Sequence, residues 1–264
     1  MAEIDLGDVT IHYETVGDER RNALIFCHGL GGSGARFVED FDFWGQHFRT
    51  VAWDNRGLGE SSAADRYSLP LYASDLARLM DHLEIDRALI HGVSWGGVLL
   101  QQFALDHPER CAAIILDSTS SEVNVAASEN WYQRGEVARL GSAVKLSATA
   151  PAFEGHTQSA ARMLESGRKI EARHLDSFVA ECRAVAGLRE HPFTPRLSEI
   201  RCPALVVGGG KDATAGAGGS VIMARHLADA KLEIFQDAGH GIYGQRKEEF
   251  RELLLAFARR NHLV

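Results

Sequence analysis

Ser94, Asp212 and His240 lie far apart in the chain, yet together they are the residue types that cleave carboxyl derivatives. Ser94 sits in "GVSWG" (92–96), a serine between two glycines at the junction of an apolar run and a helical pattern. Such a corner puts the serine in a strained backbone region and leaves no room for side chains at 92 and 96. A serine hydroxyl attacks a carbonyl only if a base removes its proton. Of the 12 histidines, His240 in "DAGHG" follows an apolar run near the C-terminus, where loops at strand ends converge. His47, His82, His107, His174 and His226 fall in helical patterns, and His91 directly precedes the serine corner. A carboxylate must then orient the imidazole. Asp212 in "GGGKDAT" is the first choice and Asp117 in "IILDST" the alternative; both satisfy the order Ser, Asp, His. The oxyanion of such a reaction needs fixed donors, for which the backbone N–H groups of Trp95 and Leu30 are the candidates.

Alternating elements would hold these residues. Residues 2–16 alternate apolar and polar around Gly7-Asp8, a β-hairpin pattern. "ALIFCHG" (23–29), "RTVAWD" (49–54), 87–92, "CAAIILD" (111–117), "PALVVGG" (203–209) and 231–236 read as strands, most of them buried. Helical spacing links Phe37, Phe41, Trp44 and Phe48, and recurs over 68–85, 95–107, 219–229 and 245–261. The expectation is an α/β fold: a mostly parallel eight-stranded sheet with helices on both faces. Residues 119–195 show only helical segments, at 129–140, 157–170 and 171–186. They read as a helical cap inserted after strand 6, leaving 1–118 and 196–264 as the core.

Trp95 stands beside the nucleophile and would favour an apolar or planar acyl group. Trp131, Tyr132, Phe153 and Phe178 either wall a substrate cleft or form the small core of the cap, as does Phe193; the sequence leaves both open.

A net charge of −8 gives no basic footprint for nucleic acid. No apolar run approaches the roughly 18 residues of a membrane span, and the N-terminal residues lack a signal-peptide layout. Four cysteines without CxxC spacing read as reduced thiols in a cytoplasmic protein. Cys27, at a strand end, is a minor alternative nucleophile. There is no H-E-x-x-H and no histidine spacing for a metal, so neither metal nor cofactor is called for. The expected partner is a small-molecule ester or lactone, and a homodimer stays open. "GLGGSG" (29–34) also matches the dinucleotide fingerprint, with Asp54 placed as the ribose acid. That alternative leaves Ser94, Asp212 and His240 without a role, and Asp54 opens the turn "DNRGLGESS" rather than closing a strand alone.

"HGLGGSG", "DNRGLGESS", "GVSWGG" and "DAGHG", in this order, resemble the α/β-hydrolase superfamily, in its esterase, lactonase and C–C hydrolase branch. Length and short cap are similar to 3-oxoadipate enol-lactonases; "GVSWGGVLLQQFALDHPERC" is locally similar to intracellular polyhydroxyalkanoate depolymerases. The resemblance implies the α/β-hydrolase fold, with Ser94 as nucleophile, His240 as base and Asp212 as acid. Members commonly carry a proline after that acid, whereas Asp212 leads into "ATAGAGGS", which keeps Asp117 open. The implied reaction is ester or lactone hydrolysis, with C–C hydrolysis on the same triad, or ligand binding with little turnover, as alternatives.

Overall fold

The apolar runs Ala23–Cys27 (β3), Arg49–Trp53 (β4), Ala88–Val93 (β5), Cys111–Asp117 (β6) and Ala204–Gly209 (β7) form the middle of an eight-stranded sheet. The computed structural model describes residues 2–143 and 170–264. Ala2–Asp5 (β1), Thr10–Val16 (β2) and Ala230–Phe235 (β8) complete the sheet, in the order β1-β2-β4-β3-β5-β6-β7-β8. Only β1 with β2 and β2 with β4 pair antiparallel; the other neighbours are parallel. Parallel strands need crossovers, and the helices that make them cover both faces.

The strands divide their side chains by period two. Ile25, Cys27, Ile90, Ile114, Leu116 and Val206 face a core completed by Leu69–His82 (α3) and Trp95–Asp106 (α4). Leu24, Phe26, Leu89, Ile115, Leu205 and Val207 face the opposite core, which holds Phe37, Trp44, Phe48, Phe250 and Leu254. The register pairs Cys27 with Gly92, Val93 with Asp117, Asp117 with Val207, and Gly209 with Phe235. The carboxyl ends of β3, β5, β6, β7 and β8 therefore finish along one line, where ligands bind in open α/β sheets.

Some helices differ from the sequence reading. The aromatic repeat at 37–48 gives two single turns, Ala35–Val38 (α1) and Phe41–Trp44 (α2), not one helix. The expected 245–261 helix divides at Arg246, which leaves helical geometry (φ −131°, ψ 51°), into Ile242–Gln245 and Lys247–Arg260. The helix expected at 219–229 runs instead over Gly216–His226, starting within the glycine-dense "GAGGS". Gly208 and Gly219 explain why: a Cβ on Gly208 would lie 2.5 Å from Ser220 Oγ, and one on Gly219 2.7 Å from Ser120 Oγ. The glycines let this helix approach β7 and the segment after β6.

Between β6 and β7 the described elements are helical: Val125–Ala143 (α5), a turn of 3-10 helix at Ala172–His174, Leu175–Gly187 (α6), and 3-10 helix at Thr194–Glu199. In order, Gly216–His226 is α7, Ile242–Gln245 α8 and Lys247–Arg260 α9. The helix expected at 157–170 lies almost wholly outside the described residues. Among the described residues no helix is long and apolar enough to cross a membrane.

Candidate active site

β5 stops at Val93 and α4 starts at Trp95, so Ser94 alone makes the corner, with φ 55° and ψ −114°. That region costs a non-glycine residue of order 1–3 kcal/mol and persists only where the surroundings enforce it. Here the Ser94 N–H donates to the Asp117 carbonyl at 2.8 Å, and the Gly97 N–H donates to the Ser94 carbonyl. A Cβ on Gly92 would stand 2.3 Å from the Gly96 carbonyl oxygen, and one on Gly96 2.2 Å from that of Cys27. Both glycines are steric requirements of the corner.

The hydroxyl so presented meets a histidine from the far end of the sheet. Ser94 Oγ and His240 Nε2 are 2.9 Å apart, and His240 Nδ1 is 2.9 Å from Asp212 Oδ2. An ionised carboxylate only accepts, so Nδ1–H donates to Asp212 and Nε2 is left to accept from Ser94. Asp212 Oδ1 accepts from the N–H groups of Thr214 (2.7 Å) and Ala215 (3.0 Å), which fixes its carboxylate plane. Burial pushes the Asp212 carboxyl up, but His240 and the two amides outweigh it and hold it below the usual carboxylate range. The loop that lacks the family's proline is thus held by hydrogen bonds.

Asp117 does not touch the His240 ring. It lies fully buried at the end of β6 and accepts from the N–H groups of Ile242 and Tyr243, both at 3.1 Å. Ser118 Oγ donates to Asp117 and accepts from Gly241 N–H, each at 2.9 Å. Burial raises Asp117, yet His91 and these amides bring it below its ordinary value. On the other side, Gln245 Oε1 accepts from Gly239 N–H and its Nε2 donates to the His240 carbonyl. Asp117, Ser118 and Gln245 clasp the histidine loop, a role the sequence did not suggest for them.

A second turn faces Ser94. Gly32 N–H donates to the Gly29 carbonyl at 3.0 Å, closing a turn in which Gly31 has φ 62°. Leu30 is its second residue, so its N–H takes no part in the closing bond. Trp95 opens α4, where first-turn N–H groups have no intrahelical acceptor. His28 is buried under the turn: its Nδ1–H donates to the Gly29 carbonyl and its Nε2 accepts from Asn55 N–H. Burial keeps that ring neutral, pushing it below the usual histidine range over the opposing pull of Gly29 and Asp54.

Two cavities meet at Leu30, Ser94, Trp131, Thr214 and His240. One, of about 420 Å³, has apolar walls that include Val98, Val123, Ala127, Leu188 and Ile222. The other, of about 390 Å³, is more polar and includes Ser33, Arg36 and Arg134. A larger groove of about 1230 Å³ beside Tyr67, Pro192 and Arg196 shares Leu188 with the first cavity but is not lined by Ser94, Asp212 or His240.

The other expected residues divide. Trp131 lines both cavities, and the Arg134 guanidinium lies 5.2 Å from its ring centroid. Trp95 borders the first, but its indole is 1% exposed and edge-on to Tyr72, which makes it a core ring rather than the acyl wall expected. Tyr132 is 48% exposed and lines neither cavity. Phe178 packs with Ala138 and Cys182 and backs the Gly31 turn instead of facing Ser94. Phe193 also belongs to the core, and Phe153 lies outside the described residues.

Neither minor alternative has the geometry it needs. Asp54 is buried and committed, accepting from Gly34 and Glu60 N–H and from His12, so a ribose has no free carboxylate there. Among the described residues no three His, Cys, Asp or Glu side chains gather as a metal requires. Cys27 is fully buried, and burial pushes its thiol up to about 12. Iodoacetamide at pH 8 is expected to leave Cys27 unmodified in the native protein, read by peptide mass spectrometry. Modification as fast as that of free cysteine would restore it as a nucleophile.

Comparison with known proteins agrees with this architecture. The chain is 25% identical over 258 residues to 3-oxoadipate enol-lactonase 2 of Acinetobacter baylyi, covering 96% of this chain and 94% of that one. It is 28% identical over 257 residues to the putative carbamate hydrolase RutD of Rhizobium rhizogenes, covering 94% and 98%. The crystal structure of the enol-lactonase from Burkholderia xenovorans shares the fold, with a TM-score of 0.79 at 23% identity over 98% of this chain and 100% of that one. The profile of the family described as alpha/beta hydrolase fold matches residues 22–246. That span runs from the start of β3 to the break after α8 and takes in the serine corner, the carboxylate and the histidine loop, and the chain belongs to the alpha/beta hydrolase fold family.

Proposed function

We propose that the protein is a serine hydrolase that cleaves a carboxylic ester or lactone of a small, largely apolar substrate. The observation that carries this reading is the unbroken path from Ser94 Oγ through the His240 ring to Asp212, at 2.9 Å per step, opening on two cavities. The names of the relatives, an enol-lactonase and a putative carbamate hydrolase, point the same way, toward cleavage at a carboxyl carbon.

Ser94 Oγ bonds to the carbonyl carbon while its proton passes to His240 Nε2. Asp212 keeps the proton on Nδ1 and stabilises the imidazolium. The carbonyl oxygen takes up the electron pair and rests against the N–H groups of Leu30 and Trp95; losing one such donor typically costs about 3 kcal/mol of barrier stabilisation. Collapse breaks the carbon–oxygen bond, and His240 returns its proton to the departing alkoxide. Water then repeats the sequence on the acyl-enzyme, releasing the acid and restoring Ser94. A lactone follows the same course with the alcohol still tethered, giving one hydroxy acid. The apolar walls at Val98, Val123 and Ile222 suit the acyl chain.

The test is a panel of p-nitrophenyl acetate, butyrate and octanoate with dihydrocoumarin as the lactone, run beside a fluorophosphonate probe. The expected outcome is turnover of at least one short ester or the lactone, with the probe's mass on the Ser94 peptide. No turnover, no burst and no labelling would favour a ligand-binding role for this fold.

A further inference from the structure

Glu181 is a carboxyl group with no access to solvent, on a helix outside the sheet, aimed at the turn that holds Leu30. Its Oε2 accepts from Gly31 N–H at 2.8 Å and its Oε1 contacts Asn55 Nδ2 at 3.1 Å. Asn55 in turn donates its own N–H to His28, the ring that supports Gly29. One side chain of α6 thus joins the Gly29–Gly32 turn, the loop after β4, and the helical segment that lies over the cavities. Phe178, one turn earlier on α6, presses on the same glycine: a Cβ on Gly31 would lie 2.8 Å from its ring.

We propose that Glu181 is a positioning residue that locks the oxyanion turn, so that the Leu30 donor is set only while α6 is docked on Gly31 and Asn55. The role rests on the ester-hydrolase reading above, which gives Leu30 its work. It goes beyond that reading by making the seating of α6 a condition for rate.

The group works as a neutral acid. A buried carboxylate needs a cation or several donors. Glu181 has two donors, and among the described residues no cation lies within ion-pair distance of it. The Asn55 amide touches it, and the Tyr72 phenol from α3 and the Cys182 thiol of its own helix lie within electrostatic reach of it. Arg56 acts on Tyr72, and Arg134 on Cys182. Burial lifts the Glu181 carboxyl to about 8, above the opposing pull of Gly31 and Asn55. Asn55 Oδ1 is buried and lacks a hydrogen-bond partner among the described residues. A half-turn of that amide lets a protonated Oε1–H donate to Oδ1 while Oε2 still accepts from Gly31. Glutamine reproduces both bonds; alanine makes neither. Above pH 8 the ionised group sets a negative charge beside the turn that must hold a developing oxyanion.

The test measures p-nitrophenyl butyrate hydrolysis from pH 6 to 9.5 in wild type, Glu181→Gln and Glu181→Ala. The ¹⁵N-resolved Gly31 amide is followed over the same range in the first two. Expected are a 10- to 100-fold fall in kcat for Glu181→Ala with KM within threefold, and near-wild-type kcat for Glu181→Gln at pH 7. Wild type loses about tenfold in rate above pH 8 and Glu181→Gln does not. The Gly31 amide shifts with a midpoint near 8 in wild type and stays flat in Glu181→Gln. Unchanged kcat in Glu181→Ala, or a Gly31 amide that does not titrate, overturns the proposal and leaves the ester reading standing. Hydrolysis that survives Ser94→Ala overturns the ester reading, and the Gly31 amide still decides whether Glu181 holds the turn.

Discussion

Replacing Ser94 with alanine lowers turnover of p-nitrophenyl butyrate by about four to six orders of magnitude. The figure follows from what the substitution removes. In the proposed mechanism Oγ is the atom that forms the covalent bond, and without it His240 has no proton to take, so Asp212 has no charge to stabilise. The loss corresponds to roughly 5–8 kcal/mol of barrier. The remainder comes from the Leu30 and Trp95 donors acting on a bound ester attacked by water. Alanine and serine pay a similar penalty at φ 55°, so the variant keeps the fold, and its circular dichroism and melting temperature check this. A variant with half the wild-type rate would remove Ser94 from the chemistry.

Gly96→Val acts on the corner itself. The new Cβ starts 2.2 Å from the Cys27 carbonyl oxygen and 2.7 Å from that of His28, both backbone atoms at the end of a central strand. A flexible side chain would move aside, but β3 cannot, because β4 and β5 hold it on both sides. Overpacking of this kind costs about 3 kcal/mol or more. That is a large share of the 5–15 kcal/mol that keeps a domain folded, and about 6–12 °C in melting temperature for a chain of this size. Activity falls further than stability, since the same shift moves Ser94 from His240. Gly187→Ala is the control: among the described residues, outside its chain neighbours and its own helix backbone, no atom lies within 4 Å of the added Cβ, and it is expected to be neutral or stabilising by up to about 1 kcal/mol. Equal melting curves for Gly96→Val and wild type would mean the corner is not tight.

The strands were readable because a buried parallel strand is a short, continuous apolar run bounded by turn residues, as in "ALIFC" and "CAAIILD". Ser94 and His240 were readable because glycines mark the places where backbone must pass close to backbone. The choice between Asp212 and Asp117 was not, because both end strands on the same side of the sheet. Backbone amides decide it. Those of Thr214 and Ala215 turn Asp212 toward the ring, while those of Ile242 and Tyr243 occupy Asp117. Glu181 was invisible for another reason. An acid in a helical pattern reads as solvated, and only the docking of α6 shows it facing inward. Likewise Trp95 looked like a substrate wall because it adjoins Ser94, yet the first turn of α4 carries its ring down against Tyr72.

His240 lies in the loop that follows an edge strand of the sheet, since among the described residues β8 has β7 for a neighbour on one side and none on the other. Most side chains of β8 are only half covered, unlike the sealed strand that delivers Ser94. The proposed general base is therefore mounted near the rim of the sheet and the proposed nucleophile at its centre. Fraying at that rim needs far less energy than melting the whole sheet. The working lifetime of the imidazole–hydroxyl pair is governed by the weakest margin of the fold, while the overall stability is governed by its middle.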